Sequence, residues 1–150
     1  MLFNAVKFVH ILLAIVAVGF NASYAVWLRR AARTPEHEGF ALRGVKFLDD
    51  RVANPAYGLL LLTGLLMVFL SGIALTTFWI AAALVLWLIA MVSGLALYTP
   101  ALRRQIEALE TSGPQSPEYQ ALDRRATVLG IAIAVVVLLI LALMVFKPGA

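Results

Sequence analysis

The chain has 150 residues, of which 63% are hydrophobic and only 13% charged, and its net charge is +4. A soluble domain is nearer half apolar, so an ordinary water-soluble fold is excluded. The absence of cysteine excludes disulfides, thiolate-ligated metal and thiol chemistry. The basic excess lies in blocks between apolar runs and reads as membrane topology, so no nucleic-acid partner is expected.

No Lys, Arg, Asp or Glu occurs in 8–28, 52–102 or 126–146. A membrane span needs roughly 20 apolar residues. The first and last runs hold one span each and the middle run holds two. The expectation is an all-α bundle of four transmembrane helices, at about 5–28, 54–75, 78–99 and 126–146, forming a single integral membrane domain. Arg29, Arg30, Arg33, Arg43, Lys46 and Arg51 separate spans one and two, and Arg103, Arg104, Arg124 and Arg125 separate spans three and four. The turn at 71–79 has no basic residue. Positive charge favours the cytoplasmic side, which predicts N-out and C-out topology in a bacterial inner membrane.

Span one carries one stripe of small and polar residues, Lys7, His10, Ala14, Ala17, Asn21 and Tyr24, stepping by three and four. In lipid such a stripe faces other helices. Gly19 and Ser23 add a small-xxx-small pair beside it. The charge that follows this run, and its full length, favour a retained span over a cleaved signal peptide. Trp27, Arg29 and Arg30 mark its cytoplasmic end.

Thr34-Pro35 breaks the helix or starts a new one. Between 36 and 53, Phe40, Val45, Phe47, Leu48 and Val52 recur among charged residues, a pattern that predicts a short amphipathic helix on the membrane surface. Asn54-Pro55 opens span two, and Thr99-Pro100 kinks or ends span three. Ser116 is placed to cap a helix with Pro117 in its first turn and Glu118 at its positive end. That helix runs on into span four, so spans three and four extend as a helical hairpin into the cytoplasm. Arg103, Arg104 and Glu107 are expected to pair there with Glu118, Asp123, Arg124 and Arg125.

His10 is the one ionisable side chain inside an apolar span. It reads as a haem or porphyrin ligand, a proton carrier, or a hydrogen-bonding partner in packing. Helix rise places Leu66 to Leu70, Ala83 to Trp87 and Ile140 to Met144 at its depth. Since His37 lies in the connector, a haem b at His10 would pair it with Met67 or Met144, be five-coordinate, or share a site in a dimer. Lys7, one turn earlier, either reaches the headgroups or contacts an anionic group such as a porphyrin propionate. Asn21 is expected to bridge to a neighbouring helix, and Trp87 to pack. No metal site is expected, and catalytic residues are not identifiable.

Lys7-Phe8-Val9-His10-Ile11, Gly19, Arg29-Arg30, Tyr98-Thr99-Pro100 followed by Leu102-Arg103-Arg104, and Met144-Val145-Phe146-Lys147-Pro148 together resemble an uncharacterised bacterial family. Its members are four-span integral membrane proteins with a domain of unknown function. More remotely, the early histidine and the Lys147-Pro148 ending are similar to copper-resistance D-like proteins and the membrane protoporphyrinogen oxidase. That resemblance implies a haem or porphyrin site at His10. The oxidase has an important lysine in its third segment, and this chain has none between Val52 and Leu102.

Two functions follow as expectations. One is a non-enzymatic membrane protein, embedded in lipid, that packs with itself as a homo-oligomer or with a membrane partner. The other is a haem- or porphyrin-binding redox protein using His10 and Lys7.

Overall fold

Pro35, Pro55, Pro100 and Pro117 each stand in the first turn of a helical segment, where a missing N–H costs nothing. In the computed structural model, which describes residues 1–149, they punctuate an all-helical chain. The helices are α1 (Leu2–Ala31), α2 (Pro35–Leu48), α3 (Asn54–Ser71), α4 (Phe78–Ser93), α5 (Thr99–Ser112) and α6 (Pro117–Phe146). Asp49–Ala53 and Gly94–Tyr98 are π turns. They weld α2 to α3 and α4 to α5, giving four long rods, 2–31, 35–71, 78–112 and 117–146, each apolar enough over part of its length to cross a membrane.

Both π turns have the same cause. Each lies just before a proline, which cannot donate to the turn above it. The ladder widens instead: Asn54 N–H reaches back to Asp49 O, and Thr99 N–H to Gly94 O, five residues rather than four. Thr99-Pro100 therefore neither ends the helix nor breaks it. Elsewhere the stops are sharp. Gly72 takes φ +68° and closes α3 at Ser71, short of the expected Leu75. Ser116 Oγ accepts from Tyr119 N–H at 3.2 Å and caps α6, with Pro117 and Glu118 in its first turn. Lys147, at φ 44°, ends α6, and its ammonium sits 5.4 Å from the centre of the Trp79 ring.

The rods pack as pairs: α1 against α3, and α4 against α6. In α1 the buried residues are Ala17, Tyr24 and Ala31, a seven-residue spacing that defines one seam. His10, Ala14 and Asn21 flank that seam half-buried, while Lys7 is exposed.

The two pairs are tied at the arginine-rich end. Tyr24, Leu42, Val45, Tyr98, Leu102, Ala108 and Tyr119 form the hydrophobic core there, drawn from α1, α2, α5, α6 and the second π turn. Toward the other end the helices show large apolar side chains outward, among them Ile15, Leu62, Phe69, Val85 and Leu138. In a bilayer those side chains face hydrocarbon, so only the arginine-rich end must bury its own core.

Two expectations are corrected here. Residues 36–53 do not form a separate surface helix. They continue span two as a stem, because Leu42 and Val45 bury against α1 and α5. Phe40 and Phe47 remain on the outside of that stem. The 37-residue rod is roughly 55 Å long at helical rise, well beyond a hydrocarbon core of about 30 Å.

The expected ion pairs between Arg103, Arg104, Glu107 and the start of α6 also do not form among the described residues. Those four arginines, 103, 104, 124 and 125, point to solvent. Neutral donors on α5 and α6 hold carboxylates there instead. Gln105 Nε2 donates to Asp123 Oδ1 at 2.8 Å, and the Tyr119 hydroxyl donates to Glu38 Oε1 at 2.5 Å. Arg43 and Glu110 pair at 2.9 Å, both well exposed, so the pair adds little.

Candidate functional site

Two polar bridges tie α1 to α3. At the first, Thr63 Oγ1 lies 2.7 Å from His10 Nδ1. The Thr63 hydroxyl is also 2.8 Å from Leu59 O, one turn back on its own helix, and a hydroxyl has a single proton to give. With that proton on Leu59 O, His10 Nδ1 carries hydrogen and donates to Thr63. The second nitrogen, Nε2, then keeps its lone pair. Gly64 makes room for the ring: a Cβ there would stand 3.3 Å from His10 Cε1.

At the second bridge, Asn21 Nδ2 donates to Tyr57 Oη at 2.8 Å and to Ala17 O at 3.0 Å. Trp87 Nε1 donates to Tyr57 O at 3.2 Å and brings α4 to the same level. Trp87 thus stands beside Asn21 and Tyr57 rather than with His10, as depth alone had placed it. The neighbours found for His10 are Thr63 and Gly64, below the expected Leu66 to Leu70. Helix rise counts depth for upright rods, while pairing register is set by side-chain fit.

Lys7 is exposed and makes no hydrogen bond or ion pair among the described residues, so it is not gathered with His10 into one site. Met67 is half-buried on α3 and Met144 on α6. Among the described residues no group of three or more His, Asp or Glu side chains is arranged to hold a metal.

A third constellation was not legible as a site. The first π turn opens with Asp49, which is 5% exposed. Its Oδ2 accepts from Asn54 Nδ2 at 3.3 Å and from Thr99 Oγ1, in the opposite hairpin, at 3.3 Å. Burial pushes its carboxyl above the usual aspartate value, against the opposing pull of those two hydrogen bonds. Beside it is a cavity of about 30 Å³ lined by Asp49, Asn54, Asn21, Tyr57, Tyr98 and Trp87, among others. The Tyr24 hydroxyl, fully enclosed nearby, has no hydrogen-bond partner among the described residues. In the sequence, Asp49 stood among the charged residues of the expected surface helix, in the run Lys46 to Arg51. The one signal available was the Asn54-Pro55 step five residues later.

A family model matches residues 4–148, nearly the whole chain, and describes predicted integral membrane proteins, DUF2269. The chain belongs to the DUF2269 family. No curated protein and no solved structure matches it. The family match agrees with the four apolar rods, so this DUF2269 member is an integral membrane protein. The comparisons return nothing for the remoter likeness to copper-resistance D-like proteins or protoporphyrinogen oxidase.

Proposed function

We propose that this protein is a non-enzymatic inner-membrane component, a single four-span domain with both termini outside, that works by packing against a second copy of itself or another membrane protein. The observation that carries this reading is where its small and polar residues lie. His10 and Asn21 are engaged within the chain, holding α1 to α3. Gly19, Gly58 and Gly94, on three different rods, have open space where a Cβ would be. Small residues left open on a lipid-facing helix admit a close neighbour.

The test is self-association in a native-like bilayer. Fluorescent copies are diluted with lipid, and energy transfer is followed for wild type and Gly19→Leu. The reading predicts transfer that persists on dilution and falls in the variant. A chain that stays strictly monomeric would count against self-packing.

A second reading rests on the His10 tautomer. A metal-binding histidine commonly donates one ring N–H to a neighbour and offers the other nitrogen. In the tautomer that donates Nδ1–H to Thr63, His10 has this form. The donor fits an axial haem ligand. A slot for the macrocycle does not show at the ring, since His10 lines neither the cavity beside Asp49 nor the apolar groove between α4 and α6. Absorbance spectra of protein made with haem precursor, beside His10→Ala, separate the readings. A stoichiometric Soret band that disappears in the variant would replace the packing proposal with a haem protein.

A further inference from the structure

We propose that the groove between α4 and α6 is a binding site for one anionic phospholipid, with an acyl chain in the groove and the headgroup phosphate at Lys147. The groove lies at the end of the bundle away from the arginines. Leu86 on α4, Leu139, Ala142, Leu143 and Phe146 on α6, and Pro148 just beyond line a space of about 310 Å³. Leu139, Ala142 and Phe146 step by three and four, so they share one face of α6. Leu139 and Phe146 stand out as walls, 50% and 80% exposed, and Ala142 between them is a half-buried floor. From Leu139 to Phe146 the groove follows α6 for roughly 10 Å at helical rise. That shape takes an extended hydrocarbon chain lying along the helices.

The residues past α6 build the mouth. Lys147 takes a left-handed conformation, φ 44°, which ends the helix and turns the backbone toward α4. Its ammonium lies 5.4 Å from the centre of the Trp79 ring. Gly149 reaches the start of α4, where a Cβ on it would stand 3.7 Å from Phe78 Cβ. Pro148, between them, closes the end of the groove. The Lys147 charge is thereby held at that end, beside a tryptophan of the kind that marks the membrane–water interface.

Charge selects the occupant. All eight Asp and Glu side chains lie within 36–50 or 107–123, toward the arginine-rich end. Lys147 makes no ion pair among the described residues. Its ammonium has three N–H donors, and an aromatic face leaves some of them free for an anion. A cation at the headgroup level with an apolar groove running down from it matches a phospholipid, whose phosphate sits above its chain. The groove opens sideways into hydrocarbon, where lipid chains are on hand.

The test uses the full chain in phosphatidylcholine nanodiscs that contain a rising fraction of phosphatidylglycerol brominated on its acyl chains. Bromine quenches tryptophan on contact. Trp27→Phe serves as the background, because Trp27 is an exposed residue at the other end. Trp79 then stands at the mouth, and Trp87 is turned inward to Tyr57. Quenching should half-saturate at about fivefold lower mole fraction for brominated phosphatidylglycerol than for brominated phosphatidylcholine, the preference that one lysine supplies near a charged surface. Lys147→Gln should abolish that preference and Lys147→Arg should keep it. Ala142→Phe, which fills the groove, should remove the saturable phase for both lipids.

Equal quenching by the two lipids overturns the proposal, as does a preference that survives Lys147→Gln. A saturable phase unchanged in Ala142→Phe also overturns it, because the chain then lies elsewhere. So does a Trp79 that neither brominated lipid quenches, since a second copy then covers the groove. Should Ala142→Phe fail to fold, the two Lys147 variants decide.

Discussion

Thr99 Oγ1 donates to Asp49 Oδ2 at 3.3 Å, and this single bond joins the π turn of one hairpin to the π turn of the other. It joins the two hairpins at the same end as their shared core and the Tyr119–Glu38 bond. The carboxylate it reaches is buried, so its protonation is linked to folding.

The first prediction follows from that burial. The folded state raises the Asp49 carboxyl above its ordinary value, so the native state holds the proton more tightly than the unfolded one. The stability this contributes is present below the ordinary aspartate value and is lost as pH rises through the shifted one. Asp49→Asn should therefore melt higher than wild type at neutral pH. The gap should close as pH falls toward the ordinary aspartate value. Tm against pH for the two proteins checks this.

His10 and Thr63 should act as one unit. Replacing either by Ala removes the same bond, so each single change should cost about 1 kcal/mol, the usual scale for an interhelical bond in membranes. The double variant should cost little more than either alone. Reversible unfolding in mixed micelles measures the cycle, and fully additive losses would show that the two side chains act separately.

Gly64→Ala should push on the same contact. The new Cβ would lie 3.3 Å from His10 Cε1, so the ring must shift or α1 and α3 must part. The expected loss is about 1 kcal/mol, at the low end of overpacking. In the His10→Ala background the loss should vanish, which the same unfolding assay reads.

Tyr119→Phe should weaken the stem. Its hydroxyl, pushed above the ordinary tyrosine value by burial and then by the Glu38 bond, donates to a carboxylate only 9% exposed. Removing it leaves Glu38 without that donor, at a cost of about 1–3 kcal/mol. Hydrogen exchange in α2 and around Gln105 should speed up, while the outer parts of α1 and α3 stay protected.

Sidedness can be read cleanly because the chain has no cysteine. A single cysteine at Thr76 should react with a membrane-impermeant maleimide in intact cells. One at Ser112 should react only after permeabilisation. The opposite pattern would invert the proposed topology.

The sequence, by itself, determined the helices and their punctuation. Uncharged apolar runs must satisfy their backbone internally in lipid, and Gly72, Thr34-Pro35 and Ser116-Pro117 mark stops and starts through local geometry alone, whereas the helix runs on through Asn54-Pro55 and Thr99-Pro100. The polar stripe of α1 was legible for the same reason, since helical period fixes which residues share a face. What only the tertiary structure decided is what each polar group meets. Thr63 reaches His10 across 53 residues, Tyr57 reaches Asn21 across 36, and Thr99 reaches Asp49 across 50. Residue type and spacing carry no information about those partners, because register between rods is set by side-chain fit. Asp49 shows it most plainly. In the chain it is one charge in a charged run, and it becomes a buried carboxylate because two prolines widen two turns and the folded rods bring those turns together.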